Sequence, residues 1–177
     1  NVYGLMATCG VVVRGMIAQG RGALWNMEGL GSGGEHQSML AIYGATKRAL
    51  RHFTQGLARD VKGTGVQVNL LSPGIVATDL LVGDYDGDLE GWKKSKKIFN
   101  ILGDRVETVC PWMARKVLET EKNGARVAWL TTPKAALRFM TAFRKRDIFD
   151  GMEPSADIAN ERGSARPAAP LQAQLRS

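Results

Sequence analysis

The chain has 177 residues, 44% hydrophobic and 23% charged, with 24 Lys and Arg against 17 Asp and Glu for a formal net charge of +7. That apolar content can build a core, which excludes disorder throughout, and no apolar run approaches the ~20 residues of a membrane-spanning helix. Cys9 and Cys110 are too few for a disulfide scaffold and lack metal-ligand spacing, so both read as structural thiols of a reducing compartment and no metal site is expected.

Val2 to Ala18 is apolar but broken by Gly4, Gly10, Arg14 and Gly15, which predicts a packed helix over 1–19 rather than a signal peptide. Gly22 to Met27 reads as a buried strand, 28–38 as a glycine-rich loop, 40–62 as a helix and 66–71 as a second buried strand. Asp79 to Gly91 is expected to be a solvated, mobile flap; its Asp84-Tyr85-Asp86-Gly87-Asp88 run resembles a calcium loop, but the twelfth position holds Ser95 instead of glutamate. A helix follows at about 105–119, a strand at 125–130, and a helix at 133–146 with Pro133 in its first turn. From Gly151 to Ser177 Pro, Ala, Gly and Arg dominate, and a disordered tail is expected beyond a domain of 1–150. Alternation of helix and strand argues an α/β fold with a parallel sheet.

The chemistry centres on Tyr43-Gly44-Ala45-Thr46-Lys47. One helical turn puts Tyr43 and Lys47 on the same face. A phenol with a pKa near ~10 exchanges protons poorly at neutral pH unless a neighbouring cation favours phenolate, and the Lys47 ammonium is such a cation. By spacing alone the pair also fits an ordinary solvated helix face. Around it stand Asn1-Val2-Tyr3-Gly4, the strand ending in Asn26-Met27, and Ser72-Pro73-Gly74-Ile75-Val76-Ala77-Thr78 after the second strand.

This order of motifs resembles the short-chain dehydrogenase/reductase family. The resemblance implies the last three strands, with their helices, of a doubly wound Rossmann-type sheet. The family's first half, with a glycine-rich pyrophosphate turn, is expected in about a hundred residues ahead of Asn1. It implies Tyr43 as general acid, Lys47 as its tuner and a ribose ligand, and Asn1 as the residue that bends its helix and holds a water linked to Lys47. Pro73, Gly74 and Ile75 would lie against the nicotinamide, with Thr78 on its carboxamide or phosphate side. Gly29 to Gly34 tempts a phosphate-loop reading but stands after the catalytic strand, where an active-site loop belongs. Where the family usually places a substrate-holding serine the chain has Glu28-Gly29, so Ser32, or more distantly Ser38, is the candidate hydroxyl. A Glu28 carboxylate would oppose a developing alkoxide unless protonated or turned away.

Asn26-Met27-Glu28-Gly29 with Gly31-Ser32-Gly33-Gly34 is similar to the chlorophyll(ide) b reductase branch, as are Ile98 to Leu102, Pro111 to Arg115 and Ala128 to Pro133. That resemblance implies NADPH-dependent reduction of the 7-formyl group of a tetrapyrrole pigment. It also implies a chloroplast protein on the stromal side of the thylakoid, an oligomer with itself or a related reductase, and peripheral membrane contact. Two alternatives stay open: a non-catalytic member binding pigment or protein, and a reductase of another bulky carbonyl. Lys93 to Lys97 and Arg144 to Arg146 read as solvated faces, with the flap lysines alternatively meeting an anionic membrane. No nucleic-acid partner is expected, because no recognition motif accompanies these cations.

Overall fold

A computed structural model of the chain describes residues 1–36, 40–144 and 146–156. Three parallel strands make the main sheet, in the order β1 (Gly22–Met27), β2 (Val66–Ser72) and β5 (Arg126–Ala128). Register runs from Gly22↔Val66 to Met27↔Leu71, and from Leu70↔Arg126 to Ser72↔Ala128. Helix α1 (Tyr3–Ala18) leads into β1, and α2 (Ala41–Asp60) joins β1 to β2, both packed on the sheet. This is the expected α/β arrangement. β1 is an edge strand, and Met27 on it is largely exposed.

Side-chain alternation places Leu24, Val66 and Val68 under α1 and α2, where they pack with Val13, Ala58 and Val61. Asn26, on that same sheet face, donates to the Thr54 hydroxyl at 2.9 Å and lies against the buried Cys9 sulfur, pinning β1 between the two helices. Cys110, expected to be structural, is exposed on α5 (Val106–Glu119).

Between β2 and β5 the chain is more ordered than the expected flap. A two-residue strand β3 (Val76–Ala77) pairs with β4 (Asp104–Arg105), and α3 (Asp79–Gly83) and α4 (Leu89–Leu102) lie between them. The Asp88 side chain caps α4 by accepting from the Gly91 N–H. Trp92, Phe99 and Tyr85 form an aromatic cluster with Phe149. The lysine run hid this helix: Lys96 curls back to Asp147 and Glu153 while Trp92 faces inward.

The last helix, α6 (Thr132–Met140), ends six residues before the expected 146. Thr141 returns its hydroxyl to the Leu137 carbonyl, and Arg146 turns back to the carboxylate of Asp104. Packing continues past residue 150: Pro154 is buried, Met152 joins the aromatic cluster and Glu153 accepts from the Trp92 indole. Residues 157–177 of the expected tail, and Ser38, lie outside the described residues.

Candidate active site

On α2 the buried residues are Lys47, Leu50, Thr54 and Ala58, one stripe at helical spacing that faces the sheet. Tyr43 extends that stripe by one turn. The stripe reaches the end of the helix that overlies the carboxyl ends of β1 and β2, the edge where open α/β sheets bind ligands. Lys47 is therefore buried by its register on α2, and its ammonium donates to the Met27 carbonyl at 3.2 Å as β1 ends. That nitrogen lies 5.7 Å from the centre of the Tyr43 ring. Tyr43 itself is 39% exposed, reachable from solvent.

Burial, and after it the Asp84 carboxylate, push the Tyr43 phenol above its ordinary value. The net direction is opposite to the lowering expected from Lys47, whose own ammonium is pulled down by burial. The raised value keeps the phenol protonated but makes it a weaker acid, so the lowering expected from Lys47 is not what the geometry of this chain supplies.

Gly29 explains the space around the phenol. A Cβ built there would collide with the Tyr43 hydroxyl and stand 2.9 Å from Lys47 Cε. Gly31, at φ +91°, lies so close to α2 that a Cβ would sit 2.5 Å from the Gly44 Cα. Glycine at 29, 31 and 44 thus lets the loop lie directly on the tyrosine helix. Ser32 is buried in that loop, and its hydroxyl oxygen accepts from the Gly29 N–H at 3.0 Å. Its carbonyl is held by Arg48 at 3.1 Å.

Glu28 turns away from the phenol. Its carboxylate is buried between Arg126 of β5, at 2.7 Å, and Arg51 of α2, at 3.4 Å. Two guanidinium groups oppose its charge, which removes the conflict with an alkoxide near Tyr43. Arg51 follows Tyr43 and Lys47 at four-residue steps, a signal present in the sequence. Arg126 has no local signal at all.

Asn1 lies before α1 instead of inside it, and its amide donates to the Thr46 hydroxyl at 3.3 Å, between Tyr43 and Lys47 on α2. Pro73, Gly74 and Ile75 leave β2 at the same edge of the sheet. Gly74 has φ +73°, and a Cβ on it would stand 2.8 Å from Leu130 Cβ. Thr78 caps α3, its hydroxyl accepting from the Leu81 N–H at 3.3 Å. Tyr43, Lys47, Gly29 and Ser32 are thus brought together, with Asn1 one turn along the helix surface.

Residues 1–87 match the profile of short chain dehydrogenases. The chain belongs to the short-chain dehydrogenase family. It is 32% identical to the probable chloroplastic chlorophyll(ide) b reductase of Oryza sativa subsp. japonica over 140 residues, covering 79% of this chain and 27% of that protein. It is 33% identical to a chloroplastic chlorophyll(ide) b reductase of Arabidopsis thaliana over 129 residues, 71% of this chain and 36% of the relative. Among solved structures, a gluconate 5-dehydrogenase from Burkholderia cenocepacia in complex with NADP and tartrate superposes with a TM-score of 0.51 at 27% identity, covering 68% of this chain and 48% of that one. The chain therefore spans less than half the length of each of these relatives.

Proposed function

We propose that this chain supplies the proton-donating half of an NADPH-dependent carbonyl reductase whose substrate is the 7-formyl group of chlorophyll(ide) b, reduced to 7-hydroxymethyl. The observation that carries the reading is the close approach of Gly29 to a solvent-reachable Tyr43 hydroxyl, with the buried Lys47 ammonium behind it. The names of the plant relatives support the pigment as substrate and the chloroplast as location, and a pigment substrate suits the stromal side of the thylakoid. The NADP in the superposed dehydrogenase supports the cofactor.

The residues present fit a nicotinamide nucleotide. Lys47 has a hydrogen bond to one carbonyl, Met27, and an ammonium carries three donors, so it has donors left for ribose hydroxyls. Pro73, Gly74 and Ile75 would flank the ring, with Thr78 at its carboxamide or phosphate side. When bound, the cofactor supplies the hydride. Tyr43 gives its phenolic proton to the carbonyl oxygen as the C–O bond becomes an alcohol, and Lys47 holds the phenolate left behind. Ser32, whose oxygen accepts from Gly29, has its hydroxyl hydrogen to offer the substrate oxygen or a water upon it. Asn1, against Thr46, stands where it would hold a water that returns the proton through Lys47. A pigment held in a membrane favours peripheral membrane contact, and assembly with a like or related reductase completes the reading.

Gly29 in place of the family's serine favours a second reading, a non-catalytic member that binds pigment or protein; a reductase of another bulky carbonyl is a third. The test incubates the full-length protein with NADPH and chlorophyllide b and follows pigment by chromatography. We expect the 7-hydroxymethyl product with one NADPH consumed per formyl group. Pigment binding without turnover, or turnover of other aldehydes alone, would replace this reading with the second or third.

A further inference from the structure

Helix α6 buries none of its nine residues. It lies along α4, and Leu137, Phe139 and Met140 are 60%, 52% and 76% exposed, with Phe143 just beyond the helix at 78%. Leu137 and Met140 are three residues apart and Phe143 three further, so they form a ridge instead of scattered apolar positions. A contiguous apolar ridge of this kind marks a contact surface.

Beside the ridge runs a groove of about 610 Å³ between α4 and α6, lined by Lys97, Arg138, Arg144 and Arg146 and by one carboxylate, Asp147, which is paired with Lys96. Arg138 and Arg146, which line the groove, are both paired with Asp104 behind it. Among the described residues Lys97 and Arg144 make no ion pair, so their charges are open to a ligand. The apolar ridge and the cationic groove adjoin at residues 140–144.

We propose that α6 and the turn after it dock the protein on an anionic lipid surface. Leu137, Met140 and Phe143 enter the boundary between head groups and acyl chains while Lys97 and Arg144 meet lipid phosphate. Charge complementarity selects this occupant. A second copy of the chain packed face to face would set one cationic groove against another, and a free phosphate ion would leave the ridge in water. Of the two basic runs read from the sequence, Lys97 and Arg144 meet the lipid here, whereas Lys96 is engaged by Asp147 and Glu153. The inference deepens the membrane contact of the proposed function, but its readout needs neither pigment nor cofactor. Loss of either reading therefore leaves the other standing.

The experiment is flotation of the full-length protein with phosphatidylcholine vesicles carrying none or about 30 mol% phosphatidylglycerol. Binding is expected to the anionic vesicles alone and to weaken with salt. Met140→Asp with Phe143→Asp, and separately Lys97→Glu with Arg144→Glu, should each lower partitioning about tenfold or more. Lys62→Glu, just past the far end of α2 and equal in charge change to the aspartate pair, should not. Circular dichroism melts confirm that these exposed variants fold. The proposal is overturned if the wild type stays with the buffer, if both paired variants float like it, or if Lys62→Glu loses as much. A concentration-dependent dimer that Phe143→Asp dissolves would also overturn it.

Discussion

The Tyr43 hydroxyl stands where a side chain on Gly29 would have to begin. Because the family's usual serine belongs near this point, one would expect Gly29→Ser to restore the common arrangement. The geometry predicts the reverse. Gly29→Ser and Gly29→Ala should each push the phenol aside and cut carbonyl reduction by about 10²-fold, the scale of an ångström-level misplacement. Activity equal to or above wild type in Gly29→Ser would show that the loop yields more easily than its contact with α2 implies.

Tyr43→Phe keeps the ring and removes the acid. Turnover in the full-length protein should fall by about 10²- to 10⁴-fold, with thermal stability within about 0.5 kcal/mol because the half-exposed side chain keeps its ring packing. A near wild-type rate would move the proton donor elsewhere and favour a binding role.

Ser32→Ala should lower turnover by about one to three orders of magnitude. Since the same oxygen accepts from the Gly29 N–H, part of that loss is loop disorder. Ser32→Cys keeps the side-chain size and provides a weaker acceptor and donor. If it restores the melting temperature without the rate, the hydroxyl acts on substrate; if it restores both, Ser32 only shapes the loop.

The pH dependence separates Lys47 from Tyr43. Burial depresses Lys47 below the ordinary lysine value and raises Tyr43 above the ordinary phenol value. The alkaline fall in kcat/KM is expected to follow loss of charge from Lys47, whose value moves toward neutral pH, and not from Tyr43, whose value moves away. For stability the sign is opposite: the unfolded chain holds its proton more tightly, so the folded state gains as pH rises from the lowered value toward the unfolded one. Lys47→Arg, which keeps its charge, should lose the alkaline limb. Retention of that limb in the variant would assign it to another group.

Asp104 is a stability prediction. Burial alone would raise its carboxyl, but bonds from Arg138, the Trp129 indole and Arg146 outweigh that and hold it below the usual range. Its contribution is present above the ordinary carboxylate pKa and is lost as pH falls through the lowered value. Asp104→Asn should cost about 3–5 kcal/mol at neutral pH, measured by urea denaturation, with the gap to wild type narrowing in acid. An equal gap at all pH values would mean the loss is steric.

The sequence carried the α/β order and the Tyr43–Lys47 pair, because both rest on local periodicity. It did not carry the burial of Lys47, which depends on where α2 crosses β1. The fate of Glu28 was equally hidden, since one of its partners lies 98 residues away. Helix α4 was masked by its lysine run, of which Lys96 turns inward, its ammonium 5.8 Å from the centre of the Trp92 ring and paired with Asp147 and Glu153. Phe149, fully buried, stands where the periodicity of α6 had already ended.

The aromatic cluster joins residues made early and late in synthesis. Trp92 and Phe99 meet Phe149, Lys96 meets Glu153, and the Gly87 N–H meets the Ser155 carbonyl at 3.0 Å. On a ribosome the tyrosine helix emerges about a hundred residues before the strap that fastens α3 and α4. Until the strap arrives, the segment carrying Asp84 is held through β3 and through Tyr85 on Trp92 and Phe99, without the bond from Gly87 to Ser155. The catalytic pair is thus prepared first and its cover last, and a chain cut short before Ile148 would keep its sheet while leaving the cover undone.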